Sequence, residues 1–205
     1  MLSSRSPFPV PGSLFPAPEK PMPYSHLNDF PADVRERAAK VRLAAFDVDG
    51  TLTDGKLLLG AGGRDIKSFH VFDGLGLKLL QKYGIAVALI TARQSQAVVA
   101  RARELGIQNV FVGVQDKLKC LDAIGARLGI PREEVAFMGD DLPDLRALAT
   151  AGLSVAPANA HPWVRERVHW RTRLEGGNGA ARELCDLILA ARGHADAIFK
   201  DYTGE

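Results

Sequence analysis

The chain has 205 residues, 46% hydrophobic and 24% charged, with a formal net charge of +2. That is enough for one well-buried domain or two small ones, and the near balance of charge gives no electrostatic support to a nucleic-acid or membrane-surface partner. No apolar run approaches the roughly 20 residues of a membrane span, and two cysteines, Cys120 and Cys185, form neither a disulfide framework nor a zinc pattern, which fits a reducing cytoplasm.

Residues 1–30 read as a disordered tail: Pro7, Pro9, Pro11, Pro16, Pro18, Pro21 and Pro23 crowd into one segment, which no helix or central strand tolerates. The run lacks the apolar core of a secretory signal, and Met22 is a candidate start. From residue 31 strands and helices alternate. The pattern predicts a helix over 31–40, a buried strand over 41–48 and a β-hairpin within 54–72, where apolar residues flank Gly60, Gly62 and Gly63. It continues with helix 74–83, strand 85–91, helix 94–105, strand 109–113, helix 117–128, strand 134–139, helix 142–150, strand 152–156, a short helix 160–166, strand 168–172 and a closing helix 178–192. Residues 193–205 read as a C-terminal tail. Alternation with short connections predicts an α/β fold, a Rossmann-like parallel sheet with helices on both faces.

Ligands of such sheets sit at the carboxyl ends of the strands, so the residues found there carry the functional reading. The first predicted strand ends in Asp47 and Asp49, the second in Thr91 and Arg93, the third in Gln115, Asp116 and Lys117, the fourth in Asp140, Asp141 and Asp144. Residues two apart in an extended strand share a face, so Asp47 and Asp49 suggest a metal site, a covalent nucleophile or an acid/base pair. The carboxylates of Asp47 and Asp140 can hold one hard cation, Mg²⁺ by its taste for few carboxylates, water and substrate phosphate. Asp49 can add its backbone carbonyl and keep its carboxyl free. Asp144, one turn from Asp140, suits a hydrogen-bond acceptor for metal-bound water; Asp141 serves either there or as a helix N-cap. A phosphate ester is the natural guest: Lys117 supplies a point charge and Thr91 a hydroxyl. Asp47 can then attack phosphorus, while Asp49 protonates the leaving alcohol and later activates water.

The D-x-D-G-T run (47–51), Thr91, Lys117 and G-D-D-x-x-D (139–144) together resemble the haloacid dehalogenase-like superfamily of phosphotransferases, over residues from about 41 to 156. The resemblance implies that Asp47 is the nucleophile, Asp49 the acid/base, and Asp140 the remaining metal ligand beside Asp47 and the Asp49 carbonyl. The second acid is typical of phosphatases and mutases; dehalogenases lack it. A narrower resemblance, over about 31–192, is to the family of phosphatases acting on 3-deoxy-D-manno-octulosonate 8-phosphate in lipopolysaccharide core-sugar synthesis. It rests on D-V-D-G-T-L-T-D-G (47–55), K-x-F-x-x-x-D-G (67–74), G-D-D-L-P-D-L (139–145), A-H-P (160–162) and G-G-N-G-A-A-R-E (176–183).

This narrower resemblance implies a capless domain over 31–192 with the 54–72 hairpin inserted, and a homotetramer in which the hairpin packs between subunits. It also implies Lys67, Arg93 and Arg182 as substrate-binding residues. Two positions depart from the family pattern: Ala92 stands where glycine is frequent, and Phe72 where many members carry arginine. Two other functions fit the same motifs, a phosphatase for a related nine-carbon keto-acid sugar phosphate and a non-catalytic oligomerisation module. For the Gly176–Gly179 loop the residues alone leave two readings, an anion held by backbone amides or a linker with Asn178 as cap.

Overall fold

The computed structural model describes residues 30–204; the proline-rich segment expected to be disordered lies, but for its last residue, outside them. In chain order the elements are α1 (Ala32–Lys40), β1 (Leu43–Phe46), β2 (Leu58–Leu59), β3 (Asp65–Ile66), α2 (Val71–Lys82), β4 (Ala86–Ile90), α3 (Gln96–Leu105) and β5 (Asn109–Phe111). There follow α4 (Lys117–Leu128), β6 (Val135–Met138), α5 (Leu145–Leu148), β7 (Leu153–Ala156), α6 (Pro162–Arg165), β8 (Trp170–Arg171), α7 (Ala180–Ala191) and α8 (Ala195–Thr203).

All four residues of β1 are buried. A strand covered on both faces belongs inside a parallel sheet, and β1 lies near the middle of the order β5-β4-β1-β6-β7-β8. It pairs in parallel with β4, Leu43 opposite Ala86, and with β6, Leu43 opposite Val135. Side chains alternate across it. Ala44 and Phe46 join the core under α1, α2, α3 and α7, whereas Leu43 and Ala45 join the one under α4, α5 and α6. The α/β fold with helices on both faces, as the sequence predicts, is therefore present.

The chain runs outward from β1 through β4 to β5, returns to the other flank of β1 as β6, and runs outward again to β8. That reversal opens a crevice between the carboxyl ends of β1 and β6, where doubly wound sheets bind their ligands.

Several elements differ from the expected bounds. α2 begins at Val71 rather than 74, because the His70 imidazole accepts a hydrogen bond from the Phe72 amide (3.2 Å) and caps an earlier turn. The hairpin is short, two residues per strand around a 3₁₀ turn at Ala61–Gly63. The helix expected at 142–150 is a 3₁₀ turn, Leu142–Asp144, followed by the single turn of α5. No element was expected at 195–203, yet α8 forms there, tied to α2 by Lys82–Asp201 (2.6 Å) and the Tyr83 hydroxyl on the same carboxylate (3.2 Å).

Phe46, fully buried beside the crevice, tests how far the site depends on its supporting strand. Phe46→Ala should cost about 3–5 kcal/mol, read as a lower midpoint in urea unfolding; a loss under about 1 kcal/mol would show that the core around β1 collapses to fill the space.

Candidate active site

Asp47 follows β1 directly, its amide donating to the Met138 carbonyl (2.9 Å) and so extending the ladder with β6. The chain then folds back tightly: the amides of Thr51, Leu52 and Thr53 all converge on the Val48 carbonyl. Gly50, in the left-handed region at φ 95°, makes that turn possible, and a Cβ there would fall 2.1 Å from Asp140 Oδ2. The Thr51 hydroxyl donates to Asp140 Oδ1 (3.0 Å). The glycine and threonine of the motif thus hold its turn against the acid that follows β6. The sequence reading gave Gly50 and Thr51 no role of their own, since nothing in the local pattern reveals a contact 89 positions away.

Across the crevice, Asp144 is buried. Its Oδ2 accepts from the Asp140 and Asp141 amides (3.0 and 3.2 Å), fixing the loop after β6. Lys117, the first residue of α4, is buried and reaches both sides of the crevice, donating to Asp47 Oδ1 at 2.6 Å and to Asp144 Oδ1 at 2.5 Å. Asp144, expected near metal-bound water, is here a direct partner of Lys117. Among the described residues, Asp47, Asp140 and Asp144 each offer a carboxylate oxygen within 4.8 Å of the others.

One ammonium among three carboxylates leaves excess negative charge in a buried place. Burial first, then the Asp144 charge, hold the Asp47 carboxyl well above the usual carboxylate range, against the pull of Lys117. The same two causes in the same order raise Asp140 to about 6. Burial alone would lower the Lys117 ammonium, but Asp47 and Asp144 together keep it above the ordinary lysine value. The site holds its lysine charged and its acids short of positive charge.

Asp49 points elsewhere. Its carboxylate takes Lys67 Nζ from the hairpin on Oδ1 and the Thr91 hydroxyl on Oδ2 (3.3 Å). Lys67 also lies 3.4 Å from Asp65. The two acids of D-x-D therefore have separate surroundings, one facing Lys117 and β6, the other facing the hairpin and β4.

The remaining expected residues are more scattered. Asp141 is exposed and accepts from the Leu142 amide (2.8 Å), so it caps the 3₁₀ turn. Arg93 is exposed beyond β4, with its carbonyl accepting from Gly113 (3.3 Å). Arg182 sits in the groove between α2, α7 and α8, its guanidinium on Asp186 (2.7 Å). The amides of the Gly176–Gly179 loop face into the chain: Gly176 donates to Asn159 Oδ1 (2.9 Å), Gly177 to the Thr51 carbonyl (3.1 Å), and Gly179 to Asp73 Oδ2 (3.4 Å). Neither reading of this loop holds: these amides are taken up within the chain, and α7 is capped at Gly179 with no side-chain hydrogen bond, not by Asn178.

Comparison with known proteins agrees with this geometry. The family model described as haloacid dehalogenase-like hydrolase matches residues 113–184. The chain is 45% identical over 160 residues to 3-deoxy-D-manno-octulosonate 8-phosphate phosphatase KdsC of Yersinia pestis, covering 78% of this chain and 86% of the relative. Among solved structures, a hypothetical protein from Xanthomonas campestris is 55% identical with a TM-score of 0.85, over 88% of this chain and 99% of that one. The 3-deoxy-D-manno-octulosonate 8-phosphate phosphatase of Moraxella catarrhalis, solved in complex with magnesium ion, phosphate ion and KDO, is 41% identical with a TM-score of 0.81, over 83% of this chain and 98% of that one. Identity at this level across most of both chains places the sequence with its relatives as well as the fold: the chain belongs to the haloacid dehalogenase-like superfamily and, within it, to the 3-deoxy-D-manno-octulosonate 8-phosphate phosphatase family.

Proposed function

We propose that this protein is a Mg²⁺-dependent phosphatase that hydrolyses 3-deoxy-D-manno-octulosonate 8-phosphate to the free sugar acid and inorganic phosphate, in lipopolysaccharide core-sugar synthesis. The observation that carries this reading is the buried Asp47–Lys117–Asp144 arrangement beside Asp140, in a chain whose Moraxella relative holds magnesium, phosphate and KDO.

The donor set fits the cation. The cluster offers only carboxylate oxygens, which suit a hard divalent ion, and its acids are raised by burial first and then by the Asp144 charge, both of which a bound cation would offset. Asp47, Asp140 and the Asp49 carbonyl are the proposed ligands, with Asp144 close enough to take part directly or through water. The bound ion would supply charge stabilisation for the phosphoryl oxygens.

Lys117 holds one oxygen of Asp47 and leaves the other for attack on phosphorus. The new Asp47–phosphorus bond forms as the bond to the sugar's C8 oxygen breaks, and Asp49 gives that oxygen a proton. In the second half Asp49 takes a proton from water, the water oxygen bonds to phosphorus, and Asp47 leaves as a carboxylate. Lys117 and Thr91 steady the phosphoryl oxygens throughout. Lys67 on Asp49 has an alternative partner once an acidic substrate arrives, so binding draws it off the acid. That is the substrate-binding role proposed for Lys67; Arg93 at the rim and Arg182 are the other proposed contacts.

We also propose a homotetramer with the hairpin packed between subunits. Leu57, Leu58, Leu59, Ile66, Val71 and Phe72 are each more than half exposed along and just after the hairpin, and a concentration of exposed apolar side chains is what protein interfaces cover. A cytoplasmic location is supported by the two free cysteines. Among the described residues no helix is long and apolar enough to cross a membrane.

Four outcomes test these readings. Phosphate release measured across acidic sugar phosphates should give the highest kcat/KM with the eight-carbon substrate and a lower one with nine-carbon keto-acid phosphates; Asp47→Asn should lose roughly 10⁴-fold or more in kcat, and turnover retained in that variant would rule out a covalent route through Asp47. Magnesium affinity should depend on pH. Asp140, at about 6 without the ion, and Asp47, also raised, must give up their protons to bind, so titration calorimetry should show affinity falling about tenfold or more per unit as pH drops below 6; a flat profile there would overturn a cation shell built on these two carboxylates. In light scattering, Leu58→Glu with Ile66→Lys should shift the protein from tetramer to smaller species, and an unchanged mass would remove the hairpin from the interface.

A further inference from the structure

The K-x-F-x-x-x-D-G and G-G-N-G runs, far apart in sequence, meet around one buried carboxylate. Asp73 lies in the first turn of α2 and is 3% exposed. α7 starts after Gly179, which has φ 100° and no side chain to cap the helix. A helix start leaves backbone N–H groups without intrahelical partners, and here Asp73 takes them from another element. Its Oδ1 accepts from the Arg182 amide at 2.8 Å and its Oδ2 from the Gly179 amide at 3.4 Å. A carboxylate at this end also complements the helix dipole. Burial pushes the Asp73 carboxyl upward, and the two amides oppose that shift.

Immediately before α7 the chain lies backbone to backbone on the motif turn. Gly177 donates to the Thr51 carbonyl at 3.1 Å. A Cβ at Gly176 would fall 1.8 Å from the Gly50 carbonyl oxygen, and one at Gly177 would fall 2.4 Å from the Thr53 carbonyl carbon. The same turn also meets Asp140, through Gly50 and the Thr51 hydroxyl. The segment carrying Asp49 is therefore held by both Asp140 and Gly176–Gly177, and the latter pair is anchored where Asp73 fixes α7.

We propose that Asp73 is a positioning residue for the phosphatase reaction: by pinning the start of α7 it presses Gly176–Gly177 onto the Gly50–Thr53 turn and fixes Asp49 relative to Asp47 and Asp140. This rests on the phosphatase reading above. Asp73 touches no reacting group; it acts through backbone placement, and catalytic groups displaced by even an ångström lose rate steeply.

The test combines kinetics with amide hydrogen exchange on the full-length chain. Asp73→Ala removes both acceptors and Asp73→Asn keeps one oxygen. Exchange of the Gly177, Gly179 and Arg182 amides should quicken in the order wild type, Asn, Ala, and kcat should fall in the same order, by roughly ten- to a hundredfold for Ala, with KM changed far less. If the Ala variant fails to fold, Asp73→Asn and Gly177→Ala, which forces the clamp open from its other end, carry the same expectation. Faster exchange with wild-type kcat would reduce Asp73 to a helix cap and overturn the proposal, as would unchanged exchange in folded variants. Wild-type protein that releases no phosphate from any sugar phosphate would sink the phosphatase reading, while the exchange data still judge the clamp.

Discussion

Among the described residues Lys117 is the cation that reaches into three crowded acids, and much of the domain is arranged to keep it there. It reaches Asp47 from β1 and Asp144 from the loop after β6, so its ammonium joins the two strands whose ends border the crevice. Taking such a group out of water is expensive unless its partners are well placed, and here both carboxylates lie within hydrogen-bonding distance. Removing the lysine would leave buried acids facing one another. The same imbalance is useful: a pocket with more negative charge than its lysine can answer draws in a divalent ion, and with it the phosphate that the ion and the lysine can share.

The order of the strands makes this possible. β1 and β6 are neighbours because the chain reverses direction across the sheet, and the reversal leaves no crossover covering their carboxyl ends. Asp47 and Asp140 are the first polar residues beyond the two strands at that opening. β4, on the other flank of β1, brings Thr91 to Asp49, so the two acids of D-x-D are served by different neighbours. Two carboxyl groups two residues apart can then hold different roles because their environments differ.

Much of this was legible in the sequence. The ends of β1, β4 and β6 were, because these strands are apolar and give way to polar residues. Asp47, Asp49, Thr91 and Asp140 lie where those strands stop; Lys117, at the start of α4 and well past β5, was one of three polar residues after the third strand. Other features depend on contacts that no local pattern carries. Gly50 and Thr51 look like turn residues until Asp140 is seen against them. Asp144, one turn from Asp140, suggested a water-bound acceptor; its contact with Lys117 depends on the angle of α4. The early start of α2 comes from a histidine cap, a less usual choice than serine or aspartate. The short C-terminal helix is held by Asp201 on Lys82 and Tyr83, partners that only the packed α2 supplies. Arg182, expected near the substrate, is on α7 beside Asp186 within this chain.

The pairing of β1 with β6 also bears on how the protein reaches its native state. Leu43 finds Val135 across most of the length of the domain, a long-range closure of the kind that slows folding. The crevice acids come from both sides of that closure, so no partly folded chain lacking β6 can assemble them. Uptake of a divalent ion during refolding therefore reports that β1 and β6 have come together, a step that the nearer β1–β4 pair does not require.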